Sequence, residues 1–289
     1  MKKIEQILKS RGGHWVGDGF PVRSLFAYDH EAQENSPFLL FDYAGPYDFA
    51  PAATPRGVGQ HPHRGFETVT IAYEGEVAHR DSTGGGGTIK PGDVQWMTAA
   101  GGIIHEEFHS PEYTKTGGPF RMVQLWVNLP AKHKMAKAGY QGIAGADIPV
   151  VNLPDGAGTA RIIAGALGDA RGPARTFSPI NLWDVRLKAG AAVTLDLPEG
   201  HTAMIAVLSG HVTVDGPDES RGAGEAEIIR FTREGSQAQV RADGEAMLLV
   251  MTGEPLHEPV VGHGPFVMTS TAEIHQAIAD FNSGRFGGA

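Results

Sequence analysis

Two short pairs of residues carry most of the chemistry this sequence could do. In HPHRGFETVT, residues 61–70, His61 and His63 stand one residue apart ahead of Glu67; in GGIIHEEF, residues 101–108, His105 and Glu107 repeat the spacing. Neutral histidine is chiefly useful as a metal ligand or a proton carrier. Side chains alternate across a strand, so residues two apart share a face. Two adjacent antiparallel strands would therefore bring three imidazoles and one carboxylate around a single cation. The carboxylate is open between two residues. Glu67 would face the same way as His61 and His63 in an unbroken strand, and Glu107 shares a face with His105, while Glu106 points away from it. A lone H-x-H motif is a weak signal, because short motifs recur by chance. The second pair, in a like strand context about forty residues on, makes a metal site the preferred reading.

A three-histidine, one-carboxylate set without sulfur suits iron(II), manganese, nickel, cobalt or copper(II) as well as zinc. Four protein ligands leave one or two positions open on a metal that prefers five or six, so either catalysis or sensing is chemically possible. Of the remaining histidines, His79 and His109 are near enough in sequence to matter. Gln95, Trp96 and Met97 lie on a strand between the ligand pairs; Trp96 and Met97 read as core, since large apolar residues are mostly structural.

The elements that must position these residues are short strands. From about Phe38 to Leu129 the segments FLLFDYA, ETVTIAY, GEVAHRD, DVQWM, GIIHEEF and MVQLWVNL alternate with turns such as YEGE, STGGGG and KPGD, the pattern of an antiparallel barrel or sandwich with no helix between. A second β-rich stretch runs from about Asn181 to Thr252. Between them, residues 135–180 are rich in Gly and Ala and read as a connector. One helix is expected near the C-terminus, where Ser270 and Glu273 form a capping box ahead of Ile274, Ala277, Ile278 and Phe281.

The two β regions can be overlaid with Gly75 opposite Gly210 at a hairpin turn, which suggests a divergent internal duplication. On that count Asp196 stands where His61 would be and Pro198 where His63 would be, so only the first copy keeps the histidines.

Composition narrows the classes. The 289-residue chain is 41% hydrophobic and 20% charged, long enough to bury a sizeable core. Its 33 acidic against 24 basic residues give a net charge of −9, which argues against nucleic acid as a direct ligand. There are no cysteines, so disulfides, thiolate ligands and a cysteine nucleophile are excluded. Neither a secretory leader nor a membrane span is legible, and the expectation is a cytoplasmic protein that does not contact a membrane.

The segments HPHRGFETVT, YEGEVAHRDSTG, IKPGDVQWMTA, GIIHEE, QLWVNLPAKHKM, EPVVGHGPFVM and EIHQAIADFNSGRFG resemble the signatures of the pirin family of the cupin superfamily, in order and over nearly the whole chain. The resemblance implies an all-β bicupin: two antiparallel β-barrels of the jelly-roll or cupin kind, packed face to face, with a short C-terminal helix. It implies a metal-binding barrel over residues 20–135, a connector over 136–180, and a metal-free barrel with the helix over 181–289. The family ligands fall on His61, His63, His105 and Glu107, which favours Glu107 over Glu67 and gives Glu107 the catalytic role.

The family also implies bound iron(II) or another divalent metal, with Mn, Ni, Co, Cu and Zn as alternatives. For several members it implies a quercetin 2,3-dioxygenase activity, which opens the central ring of a flavonol with O2 and releases carbon monoxide. The expected partners are a small aromatic, flavonol-like substrate and O2. The alternative is a metal- or redox-sensing regulatory protein that binds a protein partner without turnover. A monomer is expected. The chain departs from the usual family pattern at Ala100 and Gly101, in the turn before His105, where alanine tolerates a positive φ poorly.

Overall fold

The computed structural model describes residues 1–10 and 12–286. The chain forms two compact units, one of Met1–Arg11, Glu34–Pro37 and Ala146–Pro255, the other of Gly12–Gln33, Phe38–Gly145 and Leu256–Ala289. Each unit is built from a seven-stranded and a four-stranded antiparallel sheet, with one small two-stranded sheet besides.

In the unit that contains both histidine pairs, the larger sheet runs Gly139–Ile143, Val94–Thr98, Phe66–Glu74, Gly118–Asn128, Phe38–Phe49, Phe20–Ala27 and Gly13–Val16. The smaller runs Gly57–His63, Ile103–His109, Val77–Asp81 and Gly86–Ile89. The Ile103–His109 strand alternates strictly: Ile103, His105, Glu107 and His109 are buried while Ile104, Glu106 and Phe108 are half exposed. That alternation sends the functional side chains inward.

The other unit repeats the order. Its larger sheet runs Ile4–Lys9, Glu227–Phe231, Thr202–Ser209, Ala246–Gly253, Ile180–Leu187, Gly158–Ala164 and Val150–Asn152; its smaller runs Ala192–Asp196, Gln237–Ala242, His211–Asp215 and Ser220–Gly224. The matching orders bear out an internal duplication. They also give the N-terminal strand Ile4–Lys9 the place that Gly139–Ile143 takes in the first unit.

Strand register identifies the residues that replace the histidines. In the first unit Glu107 pairs with His79 and His109 with Val77; in the second Val240 pairs with Val214 and Ala242 with Val212. Continuing outward, His105 pairs with His61, and Ala238 with Leu195. Glu107, His79, His105 and His61 thus correspond to Val240, Val214, Ala238 and Leu195, all part of one apolar core. The counterpart of His61 is Leu195 rather than Asp196. A bulge in the pairing of the Gly57–His63 strand, between His105 and Glu107, shifts the count by one residue and so selects the opposite face.

Several elements differ from the sequence reading. Strands Gly139–Ile143, Val150–Asn152 and Gly158–Ala164 lie within the Gly/Ala-rich stretch read as a connector, and pairing into the two large sheets overrides the low β-propensity of glycine there. A short helix, Pro111–Thr116, interrupts the first β region; the Ser110 hydroxyl accepts from Tyr113 N, and Pro111 opens the first turn. The C-terminal helix spans Thr271–Asn282, where Ser270 accepts from Glu273 N as expected, but Glu273 reaches back to Thr269. The sequence grouped this helix with the second barrel; it packs instead within the unit of the first, where Ile274 and Ala277 cluster with Phe266, Met268 and Phe286. Residues 287–289, the end of the expected second domain, lie outside the described residues. Among the described residues no helix is long and apolar enough to cross a membrane.

Candidate metal centre

The Gly57–His63 and Ile103–His109 strands are neighbours, and their register sets His61 directly opposite His105. The imidazole centroids of His61 and His105 lie 4.2 Å apart, those of His63 and His105 4.8 Å, and those of His61 and His63 4.9 Å. These three residues offer nitrogen atoms within 4.8 Å of one another, and a second such group joins His105 to Glu107 and His79. His105 is common to both. The two pairs are thus brought side by side through His105, while Glu107 groups with His79 and His105 and not with His61 and His63.

Glu67 does not join them. Gly65, at φ +92°, lets the chain leave the four-stranded sheet after His63 and enter the seven-stranded one at Phe66; a Cβ at this glycine would lie 2.0 Å from Val267 O. His63 and Glu67 consequently sit on different strands in different sheets, and Glu67 accepts from the Thr98 hydroxyl at 2.7 Å. Glu106 faces outward and pairs with Arg80 at 2.5 Å.

Each member of the cluster is held from behind. His61 Nδ1 donates to Gly59 O at 2.8 Å, which leaves Nε2 with its lone pair. The ring of His63 packs edge-on against Phe66 and Trp126. Gln124 Nε2 donates to one Glu107 oxygen at 3.3 Å, and the Thr70 hydroxyl, 3.5 Å from the other, donates to Gln124 Oε1 at 2.6 Å. Tyr140 stacks on His79, with ring centroids 5.2 Å apart. His109 takes no part: its Nε2 donates to Gly19 O at 2.9 Å within a shell of Phe20, Phe49, Tyr113 and Phe120.

The electrostatics suit cation binding. Burial, reinforced by the neighbouring imidazoles, holds His63 and His105 well below the ordinary histidine value, so both rings are neutral and can ligate. Burial pushes the Glu107 carboxyl up to about 7, against the hydrogen bond from Gln124. A nearby cation would reverse that shift by favouring the carboxylate. His105 Nε2 is buried without a hydrogen-bond partner among the described residues. Such an atom costs roughly 1–3 kcal/mol unless something coordinates it. The donor set of neutral imidazole nitrogen and carboxylate oxygen fits a divalent metal ion.

Sequence reasoning missed the supporting residues Thr70, Asp81 and Gln124. The spacing of His79 and Asp81, two apart in VAHRD, was an available signal of the same kind as the ligand pairs. Gln95 lies in the site, with Nε2 3.2 Å from His79 Nδ1, whereas Trp96 and Met97 are fully buried. Ala100 adopts φ +41° in the turn that precedes His105, the left-handed conformation that its departure from the family pattern put in question.

The comparisons with known proteins cover the same ground. The Pirin family model matches residues 19–127, and the model for the Pirin C-terminal cupin domain matches residues 182–287. A Pseudomonas aeruginosa protein named as a candidate quercetin 2,3-dioxygenase is 58% identical over 286 residues, 99% of each chain. Human Pirin is 39% identical over 260 residues, 89% of this chain and 85% of that one. A crystal structure of quercetin 2,3-dioxygenase from Acinetobacter baumannii superimposes with a TM-score of 0.95 at 54% identity, covering 99% of both chains.

Proposed function

The chain belongs to the pirin family of the cupin superfamily, and on that premise we propose that it is a metal-dependent dioxygenase acting on a flavonol-like substrate. In this reading His61, His63, His105 and Glu107 hold one divalent metal, iron(II) first among the candidates, with Mn, Ni, Co, Cu and Zn behind it. The reaction is the opening of the central flavonol ring by O2 with loss of carbon monoxide. The observation that carries the reading is the cluster itself, with its neutral imidazoles and the unpartnered His105 Nε2.

A bound divalent cation would act as a Lewis acid and lower the pKa of a substrate hydroxyl docked on it. The protein supplies the rest. Glu107, a carboxylate beside the cation, is positioned to take the hydroxyl proton, ligand and base in one. Gln124 and Thr70 fix its orientation from the neighbouring sheet. Phe66 and Trp126, stacked at 4.2 Å beside His63, give the site an apolar wall suited to an aromatic ring.

The test is the product. Protein loaded anaerobically with iron(II) and exposed to quercetin and O2 is expected to release one carbon monoxide per O2 consumed. Oxygen consumption without carbon monoxide would point to another oxidation. Fully metallated protein that consumes no O2 would replace this reading with the regulatory one, in which the metal's oxidation state changes the affinity for a protein partner.

A further inference from the structure

Behind His105 a line of hydrogen bonds runs away from the cluster. His105 Nδ1 lies 3.3 Å from His79 Nδ1, and His79 Nε2 lies 3.1 Å from Asp81 Oδ2. The side chains of His79 and Asp81 are fully enclosed. The other Asp81 oxygen, Oδ1, is engaged by three donors: Thr83 N at 2.8 Å, the Thr83 hydroxyl at 2.6 Å and Gly85 N at 3.1 Å. The carboxylate is thereby locked in the turn with one oxygen aimed at His79.

The proton positions follow from what each group can do. A carboxylate accepts only, so His79 Nε2 donates to it. The neutral His79 ring then has its single lone pair at Nδ1, where it accepts from His105 Nδ1; Gln95 Nε2, 3.2 Å from the same atom, has the Glu107 carboxylate as its own acceptor. With its proton on Nδ1, His105 keeps the lone pair on Nε2. That atom is buried without a hydrogen-bond partner among the described residues.

We propose that Asp81 and His79 are positioning residues that fix the tautomer of His105, presenting its Nε2 to the metal as a ligand. The inference rests on the metal reading given above. An outer partner on the second nitrogen is the general means by which proteins orient a ligating imidazole. In the other unit the places two and four residues after Val212 are Val214 and Gly216, so the relay is absent wherever the ligands are absent.

The decisive variant is Asp81→Asn. Its amide oxygen stays with the three donors of the turn, so its NH2 faces His79. His79 must then accept at Nε2 and donate from Nδ1, which drives the His105 proton to Nε2 and removes the ligand lone pair. In the metal-free protein, nitrogen-15 NMR of the histidine rings is expected to show His105 protonated at Nδ1 in wild type and at Nε2 in Asp81→Asn. Nickel(II) affinity, measured by chelator competition, is expected to fall roughly 10–100-fold.

His79→Asn offers an amide oxygen near the position of Nδ1 with no need of Asp81. Adding Asp81→Asn to it should therefore cost no further nickel affinity. If Asp81→Asn does not fold, His79→Phe removes the acceptor without disturbing the turn and should show the same loss. A wild-type His105 protonated at Nε2, or wild-type nickel affinity in Asp81→Asn or in His79→Phe, would overturn the proposal. Because the tautomers are read without metal, they decide the relay separately; a wild-type protein that binds no nickel(II) would count against the metal reading instead.

Discussion

Arg64 Nη1 donates to Asp280 Oδ2 at 2.8 Å, which ties the residue that follows His63 to the last helix of the chain. The same guanidinium donates from Nε to Gly101 O at 2.8 Å and lies 4.4 Å from the ring centre of Phe286. The end of one ligand strand and the turn before the other are thus fastened by one buried cation. Asp280→Ala leaves that cation without its anion, which is more damaging than losing the pair altogether. The variant is expected to melt at a lower temperature and to bind nickel(II) more weakly than wild type. Unchanged nickel affinity in a folded Asp280→Ala protein would show that the latch does not hold the ligand strands.

The two barrels predict opposite effects at one structural position. Leu195, 2% exposed, takes in the second barrel the place His61 takes in the first. Leu195→Ala is expected to cost about 3 kcal/mol of stability, the scale of a buried leucine truncation, with nickel affinity unchanged. His61→Ala is expected to weaken nickel binding by more than the roughly 10–100-fold that a lost outer partner costs. Urea unfolding and metal titration on both variants check the pair.

Glu67 gives the apoprotein a pH signature. Burial raises its carboxyl from the usual 4.5 to about 7, against the hydrogen bond from Thr98. A folded-state value above the unfolded one means that the protonated form is favoured in the fold. The contribution of this group is full below about 4.5 and is lost as pH rises through about 7. Across that window Glu67→Gln should gain about 3 kcal/mol relative to wild type, with the variant the more stable at the alkaline end. A stability difference independent of pH would show that Glu67 titrates normally.

Much of the site was legible because strand period and ligand spacing coincide. His61 and His63, like His105 and Glu107, are two apart on strands, and one register contact brings the pairs together. What the spacing left open, the carboxylate, depends on Gly65: only the sheet change at that glycine separates Glu67 from His63, and a sequence window cannot distinguish a crossing from a continuous strand. The duplication was legible at its turn glycines, but a bulge moved the counterpart of His61 by one residue. The strand Ile4–Lys9 was missed because its partner, Glu227–Phe231, lies more than two hundred residues away in sequence. Pairing at that separation leaves no local trace.

The most direct test of the central claim is oxygen uptake with quercetin, measured on iron(II)-loaded wild type, His63→Ala and Glu107→Gln with the metal content of each determined. Wild type carrying one iron per chain is expected to consume O2 in step with quercetin loss. His63→Ala should lose both metal and turnover, and Glu107→Gln should lose turnover with its fold intact. Uptake by either variant at the wild-type rate, or none by fully metallated wild type, would contradict the account.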